Sequence, residues 1–234
     1  GNLPFQVCPP DPIRVRDVIR AWSPEVIHVH APGTPHIGDL LGDALAGLPK
    51  IPVLQTNIFG RLINPSESRW VDFRAFISWT SCVQAARRSW QTLDERFFER
   101  HSVVGYPLDP EEPPAPEAIR RYRRQWGMDE DTVVFGRLSR PDPIKWEPAL
   151  IPVWERVCRL HPESILLLRE PPAAVSEALR RSPLAASYRI LPVTADPEEW
   201  RMTRAALDGV IHLSRTGESF GYGIAEAMNL AKPV

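Results

Sequence analysis

The chain has 234 residues, of which 43% are hydrophobic and 24% are charged, and its formal net charge is −1. This length allows one large or two small domains, and the balanced charge argues against a protein that binds nucleic acid or another polyanion. The three cysteines are far apart and form no CxxC pair, which argues against a disulfide framework or a zinc ribbon and predicts a cytoplasmic protein. No apolar run approaches the length of a membrane span.

The first half of the chain alternates short apolar runs with longer amphipathic stretches. The apolar runs predict strands at 26–30, 51–55, 75–78 and 102–104, and the amphipathic stretches predict helices at 37–48 and 82–99. Strands that alternate with helices are typical of a mostly parallel sheet with helices on both faces. At 107–116 the chain becomes proline-rich, and such a segment cannot extend a sheet because proline donates no backbone N–H. It predicts a boundary between one domain at 1–110 and a second at 111–234.

The same alternation resumes after the proline-rich segment. Helices are predicted at 117–126, 148–160, 173–181, 197–207 and 221–230, and strands at 132–136, 165–168, 189–191 and 209–213. Both halves therefore have the pattern of an α/β fold with a doubly wound parallel sheet. Because such sheets bind ligands beyond the carboxyl ends of their strands, polar and glycine-rich segments at those ends are the candidate functional sites.

One such segment follows the last predicted strand and leads into the last helix. Glycines at 217, 221 and 223 let the backbone turn sharply, and the unpaired N–H groups and the dipole of the helix start suit an anion such as phosphate. Glu218 precedes this helix and Glu226 lies inside it, where their carboxylates are acceptors for sugar hydroxyls. The alternative is an ordinary helix start with an exposed pair of glutamates. The absence of a GxGxxG motif argues against a dinucleotide site.

This segment also resembles a known signature. Glu218 and Glu226, within Gly-Glu-Ser-Phe-Gly…Ala-Glu-Ala-Met…Lys-Pro-Val, resemble the E-x7-E motif of family 4 retaining glycosyltransferases. The resemblance implies a GT-B fold of two Rossmann-like domains, both incomplete here, and a nucleotide-sugar donor. It implies that Glu226 accepts from the nucleotide ribose, that Glu218 faces the donor sugar, and that backbone amides of the turn meet the sugar and the phosphates. These amides belong to the segment with Ser219, Phe220, Gly221 and Gly223.

A second match to the family lies upstream. Arg137 lies at the end of a predicted strand and Lys145 follows it, where the family places an arginine and a lysine that bind the donor pyrophosphate. Fixed cations there would stabilise the negative charge that develops on the departing nucleotide. The sequence departs from the common pattern, because the interval between the two is three residues longer and Trp146 stands where glycine is typical. The alternative interpretation of the two cations is a solvated loop pair.

Weaker candidates lie in the first half of the chain. His30 ends the first predicted strand, and the resemblance places it at the cleft between the domains, whereas His28 is predicted to be a packed histidine. With His36 these residues lack the carboxylate or thiolate neighbours of a usual zinc site, so no metal is expected. Asn57 ends the second strand, where many relatives carry a histidine close to the donor sugar. It is a candidate of the same kind, with a loop or capping role as the alternative.

Two charged segments receive structural interpretations. Arginines at 120, 121, 123 and 124 form a basic run that is predicted to be a solvated helix face, with contact to anionic lipid as the alternative. The acidic triplet at 129–131 superficially resembles a metal-binding DxD motif. Its position just before a strand predicts a turn instead.

The expected function follows from the resemblance, which covers residues 25–234. It is transfer of a sugar from a nucleotide-diphosphate sugar to a sugar, lipid or small-molecule acceptor, with retention of configuration and with neither metal nor other cofactor. The chain is expected to be a fragment, because relatives begin with a glycine-rich loop and end with further helices. Two alternatives stay open: a non-catalytic relative that binds a nucleotide sugar, and another GT-B enzyme such as a sugar-nucleotide epimerase.

Overall fold

The computed structural model describes residues 5–31, 35–61, 69–214 and 216–234, and the chain divides into two compact units. The units are Gly1–Pro107 and Leu108–Val234, so the division lies inside the proline-rich segment, whereas the sequence predicts it at 110/111. Each unit contains its own parallel sheet of four strands within the described residues. All three cysteines belong to the described residues and are free.

The first unit alternates helices with parallel strands. Its strands are β1 (Ile27–Ala31), β2 (Val53–Asn57), β3 (Phe73–Phe76) and β4 (His101–Val103). Its helices are α1 (Pro12–Trp22), α2 (Pro35–Leu45), α3 (Trp79–Arg88) and α4 (Glu95–Phe98). The strands lie in the order β1-β2-β3-β4, so the carboxyl ends of β1 and β2 are neighbours at one edge of this sheet.

The second unit has the same kind of alternation but a different strand order. Its strands are β5 (Val133–Leu138), β6 (Ser164–Arg169), β7 (Tyr188–Leu191) and β8 (Gly209–Val210). Its helices are α5 (Pro116–Gln125), α6 (Leu150–Leu160), α7 (Ala173–Arg181), α8 (Pro197–Ala205) and α9 (Tyr222–Asn229), with a short 3₁₀ helix at Pro143–Lys145. The order β7-β6-β5-β8 means that the chain winds outward from β5 and then crosses back to β8. Such a reversal opens a crevice at the carboxyl ends of the two strands, β5 and β8.

The second sheet is buried on both faces, because consecutive residues of β6 point to opposite sides. Leu166 and Leu168 pack in one core cluster with Trp154 of α6, and Ile165 and Leu167 pack in a second cluster. All of β6 except its last residue is buried. A continuous apolar run of this kind is typical of a parallel strand between two helix layers, and it explains why the α/β fold is readable from the sequence.

The predicted helix at 82–99 is wrong in one respect, because the structure has two helices there. α3 ends at Arg88, and the chain turns at Trp90, whose φ of 54° lies in the left-handed region. Asp94 then caps α4, and its side chain accepts a hydrogen bond from the backbone N–H of Phe97 at 3.0 Å. Residues 89–94 contain neither glycine nor proline, so the sequence carries no strong signal for the break.

Two further elements differ from the prediction. α1 has no predicted counterpart, although Asp11 caps it, Pro12 occupies its first turn, and Val15, Val18, Ile19 and Trp22 recur at helical spacing. β8 is shorter than the predicted strand at 209–213. The chain leaves the ladder after Val210 but stays beside β5, since the N–H of Ile211 donates to the carbonyl of Gly136 at 2.8 Å.

The arginine run of α5 forms ion pairs with neighbouring carboxylates. Arg123 pairs with Asp208 at 2.8 Å, and both Arg120 and Arg124 pair with Glu117. This arrangement agrees with a helix face whose charges are satisfied within the unit. Within the described residues, no helix combines the length and the apolar character that crossing a bilayer requires.

Gly136 lies inside β5, where a side chain has no room. A Cβ there would overlap the side chain of Leu207, which is itself 1% exposed. We expect Gly136→Ala to lower the free energy of unfolding by about 1–3 kcal/mol, because overpacking forces neighbouring side chains from their preferred rotamers. Chemical denaturation measures the change. Gly217→Ala is the control, since a Cβ at Gly217 has nothing within 4 Å; equal stability losses in the two variants would contradict the expectation.

Candidate functional site

The crevice between β5 and β8 contains four polar side chains from distant parts of the chain. Arg137 lies on β5, Lys145 ends the 3₁₀ helix that follows it, His212 follows β8, and Glu218 lies in the turn before α9. We call these four residues the switch-point cluster. Three of them, Arg137, Lys145 and Glu218, are among the residues that the sequence nominates, and the structure brings them together.

The shortest ion pair of the cluster joins Lys145 to Glu218. The Lys145 Nζ lies 2.7 Å from a carboxylate oxygen of Glu218, and the two side chains are 22% and 20% exposed. The 3₁₀ helix holds Lys145 in place, since the side chain of Asp142 caps it by accepting from the backbone N–H of Ile144 at 3.0 Å. The solvated loop pair is therefore not what the structure shows, because Lys145 is largely covered and has a specific partner.

Glu218 is held in its ionised form. Burial by itself would raise the pKa of the Glu218 carboxyl, but the hydrogen bond and charge of Lys145, with a hydrogen bond from His212, leave that pKa below its ordinary value. An ionised carboxylate only accepts hydrogen bonds, so both of its oxygens are suited to the hydroxyls of a sugar.

His212 links the carboxylate to Arg137. Its Nε2 lies 3.0 Å from Glu218 Oε1 and its Nδ1 lies 3.5 Å from a guanidinium nitrogen of Arg137. Burial, followed by the charge of Arg137, lowers the pKa of His212, so the ring is neutral at pH 7. Because Glu218 can only accept and Arg137 can only donate, the contacts fix the tautomer in which Nε2 carries the proton.

Arg137 is buried rather than directed into solvent. Its residue is 1% exposed, it donates to the backbone carbonyls of Lys145 and Leu213, and its guanidinium lies 5.1 Å from the ring centroid of Trp146. Trp146 is itself 2% exposed, and its indole N–H donates to the carbonyl of Arg140 at 2.8 Å. These contacts hold the guanidinium in one buried position within the cluster.

The turn before α9 has the geometry expected at a helix start that binds anions. Gly221 is the N-cap of α9, and its φ of 82° favours glycine over residues with a side chain. Because glycine has no side chain, no side-chain hydrogen bond caps the first backbone N–H groups of the helix. A Cβ on Gly223 would lie 3.6 Å from the carbonyl of Leu138, so the start of α9 lies in van der Waals range of the end of β5. Phe220 and Tyr222 form an edge-to-face ring pair at 5.1 Å across the turn, with Ser219 preceding them.

Glu226 also has a cation partner. Its Oε1 lies 3.2 Å from the guanidinium of Arg204 on α8, and its side chain is 27% exposed. The alternative of an exposed glutamate pair is therefore wrong, because Glu218 and Glu226 are both partly buried and both ion-paired. Neither cation is close in sequence, which is why the pattern of the motif alone gives no sign of them.

The candidates of the first unit occupy the carboxyl ends of β1 and β2. His30 is exposed at the end of β1, and the amide of Asn57 exchanges two hydrogen bonds of 3.2 Å with the backbone of Arg61. Asn57 thus closes its loop, and its role towards a sugar stays a prediction, as does that of His30. The prediction of a packed His28 is wrong, because the residue is exposed. Its ring centroid lies 4.2 Å from that of His30, with the two rings tilted by 47°, and its Nε2 lies 2.8 Å from the Thr56 hydroxyl. The side chain of His36 lies outside the described residues.

Comparisons with known proteins support the fold. No family model matches the chain, and no curated protein matches its sequence. Solved structures do match it. HepE from Anabaena, in complex with UDP and glucose, has a TM-score of 0.75 at 20% identity over 99% of this chain and 66% of its own. A glycosyltransferase from Rickettsia africae has a TM-score of 0.73 at 14% identity over 98% of this chain and 64% of its own.

The chain has the GT-B fold. A third structure agrees: WaaG, a glycosyltransferase involved in lipopolysaccharide biosynthesis, has a TM-score of 0.58 at 12% identity over 99% of this chain and 78% of its own. The prediction of an α/β fold with two Rossmann-like domains is confirmed. The chain spans slightly less than two thirds of the lengths of HepE and of the Rickettsia africae protein. At such low identities the likeness concerns the fold and leaves the chemistry to the residues of this chain.

The sequence reasoning missed His212 and Arg204, both of which contact a nominated carboxylate. His212 carries a usable signal, because it lies near the carboxyl end of the strand predicted at 209–213, where ligand-binding residues are expected. Arg204 carries none. It is one of several charged residues in an ordinary amphipathic helix, and nothing in the spacing separates it from its solvated neighbours.

The neutral state of His212 predicts a pH-dependent stability. The unfolded chain takes up a proton on this residue near its ordinary pKa of 6.5, whereas the folded protein takes it up only at lower pH. The unfolded state therefore binds more protons in that window, and the free energy of unfolding rises with pH through it. We expect His212→Gln to reduce this rise below pH 6.5. Part of it would persist, because burial also lowers the pKa of His101.

Urea denaturation at several pH values between about 5 and 8 measures this slope. His161→Gln is the matched control, because the side chain of His161 is 65% exposed. Identical slopes for the wild-type protein and His212→Gln would show that His212 is not held neutral by its surroundings.

Proposed function

We propose that this protein is a glycosyltransferase that transfers a sugar from a nucleotide-diphosphate sugar to an acceptor hydroxyl with retention of configuration. The observation that carries the proposal is the contact of Lys145 with Glu218 at 2.7 Å, at the crevice of a GT-B fold and next to the glycine-rich start of α9. A lysine ammonium and a helix N-terminus suit the phosphates of a sugar diphosphate, and a carboxylate suits its hydroxyls.

In the proposed donor complex Lys145 exchanges its partner. Its ammonium is a compact charge on a flexible stem, so it can turn from Glu218 to the β-phosphate of the donor. Glu218, ionised and still hydrogen-bonded to His212, then accepts from hydroxyls of the donor sugar. Arg137 belongs to this site as a buried positive charge that contacts His212 and the backbone of Lys145, and the start of α9 supplies amides from Ser219 to Gly223.

The proposed bond changes are few. The bond between the anomeric carbon and the phosphate oxygen breaks, and the acceptor oxygen forms its new bond to the same face of that carbon, which gives retention. The acceptor proton passes to an oxygen of the departing phosphate, so no protein base is required. Positive charge fixed around the leaving group stabilises it as it separates, and this is the principal contribution of Lys145 and the α9 amides. The roles of His30 and Asn57 towards the sugar or the acceptor are proposed from the sequence resemblance alone.

The proposal assigns no metal or other cofactor, and the nucleotide sugar is a co-substrate. The acidic triplet at 129–131 gives no reason to add a metal. The Asp129 carboxylate accepts from the Thr132 hydroxyl at 2.6 Å in a bend before β5, so its local role is structural, as the sequence position predicts.

The acceptor is proposed to be a sugar, a lipid or a small molecule carrying a hydroxyl, in the cytoplasm. Contact with a membrane surface has more support from the first unit than from the α5 arginines. Trp79 begins α3 and Trp90 follows its end, and the two are 62% and 96% exposed; Arg87 and Arg88 lie in the last turn of α3. Exposed tryptophans and arginines are residue types that occur on surfaces that bind anionic lipid headgroups.

Removing either charged partner of the donor should weaken donor binding. We expect Lys145→Ala and Glu226→Ala each to lower the affinity for the nucleotide sugar by about 10- to 100-fold, the value of a hydrogen bond to a charged group. Titration calorimetry with UDP-, GDP- and ADP-sugars measures the affinities and also identifies the base. Lys50→Ala is the matched control, because Lys50 forms an ion pair of 2.6 Å with Asp72 in the other unit. Unchanged affinity in both test variants, with folding intact, would remove the site assignment.

Product analysis with the same donor panel separates the proposal from its two alternatives. A glycosylated product that forms only when an acceptor is present supports the transferase. Binding of the donor without any turnover, across sugar, lipid and small-molecule acceptors, would favour the non-catalytic relative. Release of free sugar or an epimerised donor in the absence of an acceptor would point to the epimerase-like enzyme.

A further inference from the structure

A second ion-paired group contains Glu226 of α9, eight residues after Glu218 of the switch-point cluster. Arg204 of α8 binds both carboxylate oxygens of Glu111 at 2.7 Å, and its other terminal nitrogen lies 3.2 Å from Oε1 of Glu226. We call Glu111, Arg204 and Glu226 the Arg204 triad. Its members come from the proline-rich segment, from α8 and from α9, and no step of the proposed reaction uses Glu111 or Arg204.

Arg204 is held rigidly. Its side chain is only 10% exposed, and its guanidinium lies 5.3 Å from the ring centroid of Trp200. The guanidinium of Arg169 lies 4.0 Å from the same ring centroid. The neighbouring Thr203 anchors α8 by a hydrogen bond of 2.7 Å to the hydroxyl of Tyr122. An arginine with this little freedom fixes the direction of any carboxylate that it binds.

The charge balance of the triad leaves Glu226 able to bind a ligand. One guanidinium lies between two carboxylates, so the group carries one net negative charge. Within the described residues Arg204 engages only Oε1 of Glu226, and the second oxygen keeps its capacity to accept. A carboxylate held by one oxygen cannot rotate freely, so the other oxygen points in one direction before any ligand arrives.

We propose that Arg204 is a positioning residue that presents Glu226 to the ribose hydroxyls, so that this triad makes the protein select ribonucleotides over nucleotides without those hydroxyls. The inference rests on the proposed function, in which Glu226 accepts from the ribose. A purely structural role for Arg204 is the rival. Nearby contacts tie the proline-rich segment to the same helices, since Arg201 donates to the carbonyl of Glu112 at 3.1 Å and Asn229 donates to that of Asp109 at 2.9 Å.

The test compares two ligand series on the purified protein. Calorimetry measures the affinities of UDP, GDP and ADP and of their 2′,3′-dideoxy counterparts. We expect the wild-type protein to prefer the ribose form of its nucleotide by about tenfold or more, since loss of the hydroxyls leaves the carboxylate without its partners. Arg204→Gln should bring the two affinities close together, mainly by weakening the ribose form. Arg201→Gln, which loses a contact to the same segment but none to Glu226, should keep the wild-type ratio.

The outcomes divide cleanly. A ratio that Arg204→Gln leaves at the wild-type value, or an equal loss of affinity for both forms, overturns the inference, because a structural clasp would act on both ligands alike. Equal binding of both forms by the wild-type protein also overturns it and leaves the proposed nucleotide site intact. Binding of none of the three nucleotides would reject the proposed function, and the inference with it. If Arg204→Gln does not fold, Arg204→Lys is the second variant. It keeps the charge but has a single nitrogen in place of the two terminal nitrogens that contact Glu111 and Glu226, so the ratio of the ribose to the dideoxy affinity should be intermediate.

Discussion

The contact between Lys145 and Glu218 is the interaction on which the site depends. Both side chains are about one-fifth exposed, so each charge is largely removed from water and requires a partner. The partners are 73 residues apart and meet only because the chain crosses back from β7 to place β8 beside β5. Without a ligand the two charges satisfy each other. A donor with a phosphate and hydroxyls can satisfy both at once, so the pair is replaced without leaving either charge uncompensated.

Glu226, which follows the turn before α9, is also a partly buried carboxylate held by a cation. α9 carries Glu226 and follows Glu218, and each carboxylate is held by a cation from a different element: Lys145 after β5 and Arg204 on α8. The two acids are thus oriented before a ligand binds, and the helix start between them presents backbone amides. In the proposed site this divides the donor into three parts, with hydroxyl-binding acids at both ends and a phosphate-binding turn in the middle. Apart from the exchange of Lys145 from Glu218 to the phosphate, the proposed binding needs little reorganisation, and such preorganisation favours affinity.

How much of this the sequence predicts depends on the range of the interactions. The apolar run of β6 and the glycines before α9 are local features, so the α/β pattern and the position of the turn could be derived from residues alone. The break between α3 and α4 could not, because a left-handed Trp90 has no signature in composition. The pairing of Arg204 with Glu111, 93 residues away, depends on the tertiary fold. Short-range sequence patterns predict where helices, strands and turns lie. They do not predict which charged side chains, distant in sequence, form ion pairs in the folded protein.

Trp146 stands where the sequence resemblance implies glycine, and this affects which residues of the proposed site can contact the leaving phosphate. Where the common pattern has glycine, this chain has a buried indole that packs in the core and covers the guanidinium of Arg137 at 5.1 Å. The two terminal nitrogens of Arg137 donate to the carbonyls of Lys145 and Leu213 and contact His212. Burial, and then the charge of Arg137, lowers the pKa of His212, which keeps that ring neutral and able to donate to Glu218 while accepting from Arg137. In the proposed reaction, therefore, Lys145 and the backbone amides of α9 contact the leaving phosphate directly. Arg137 positions His212 and the backbone of Lys145 and does not itself contact the phosphate.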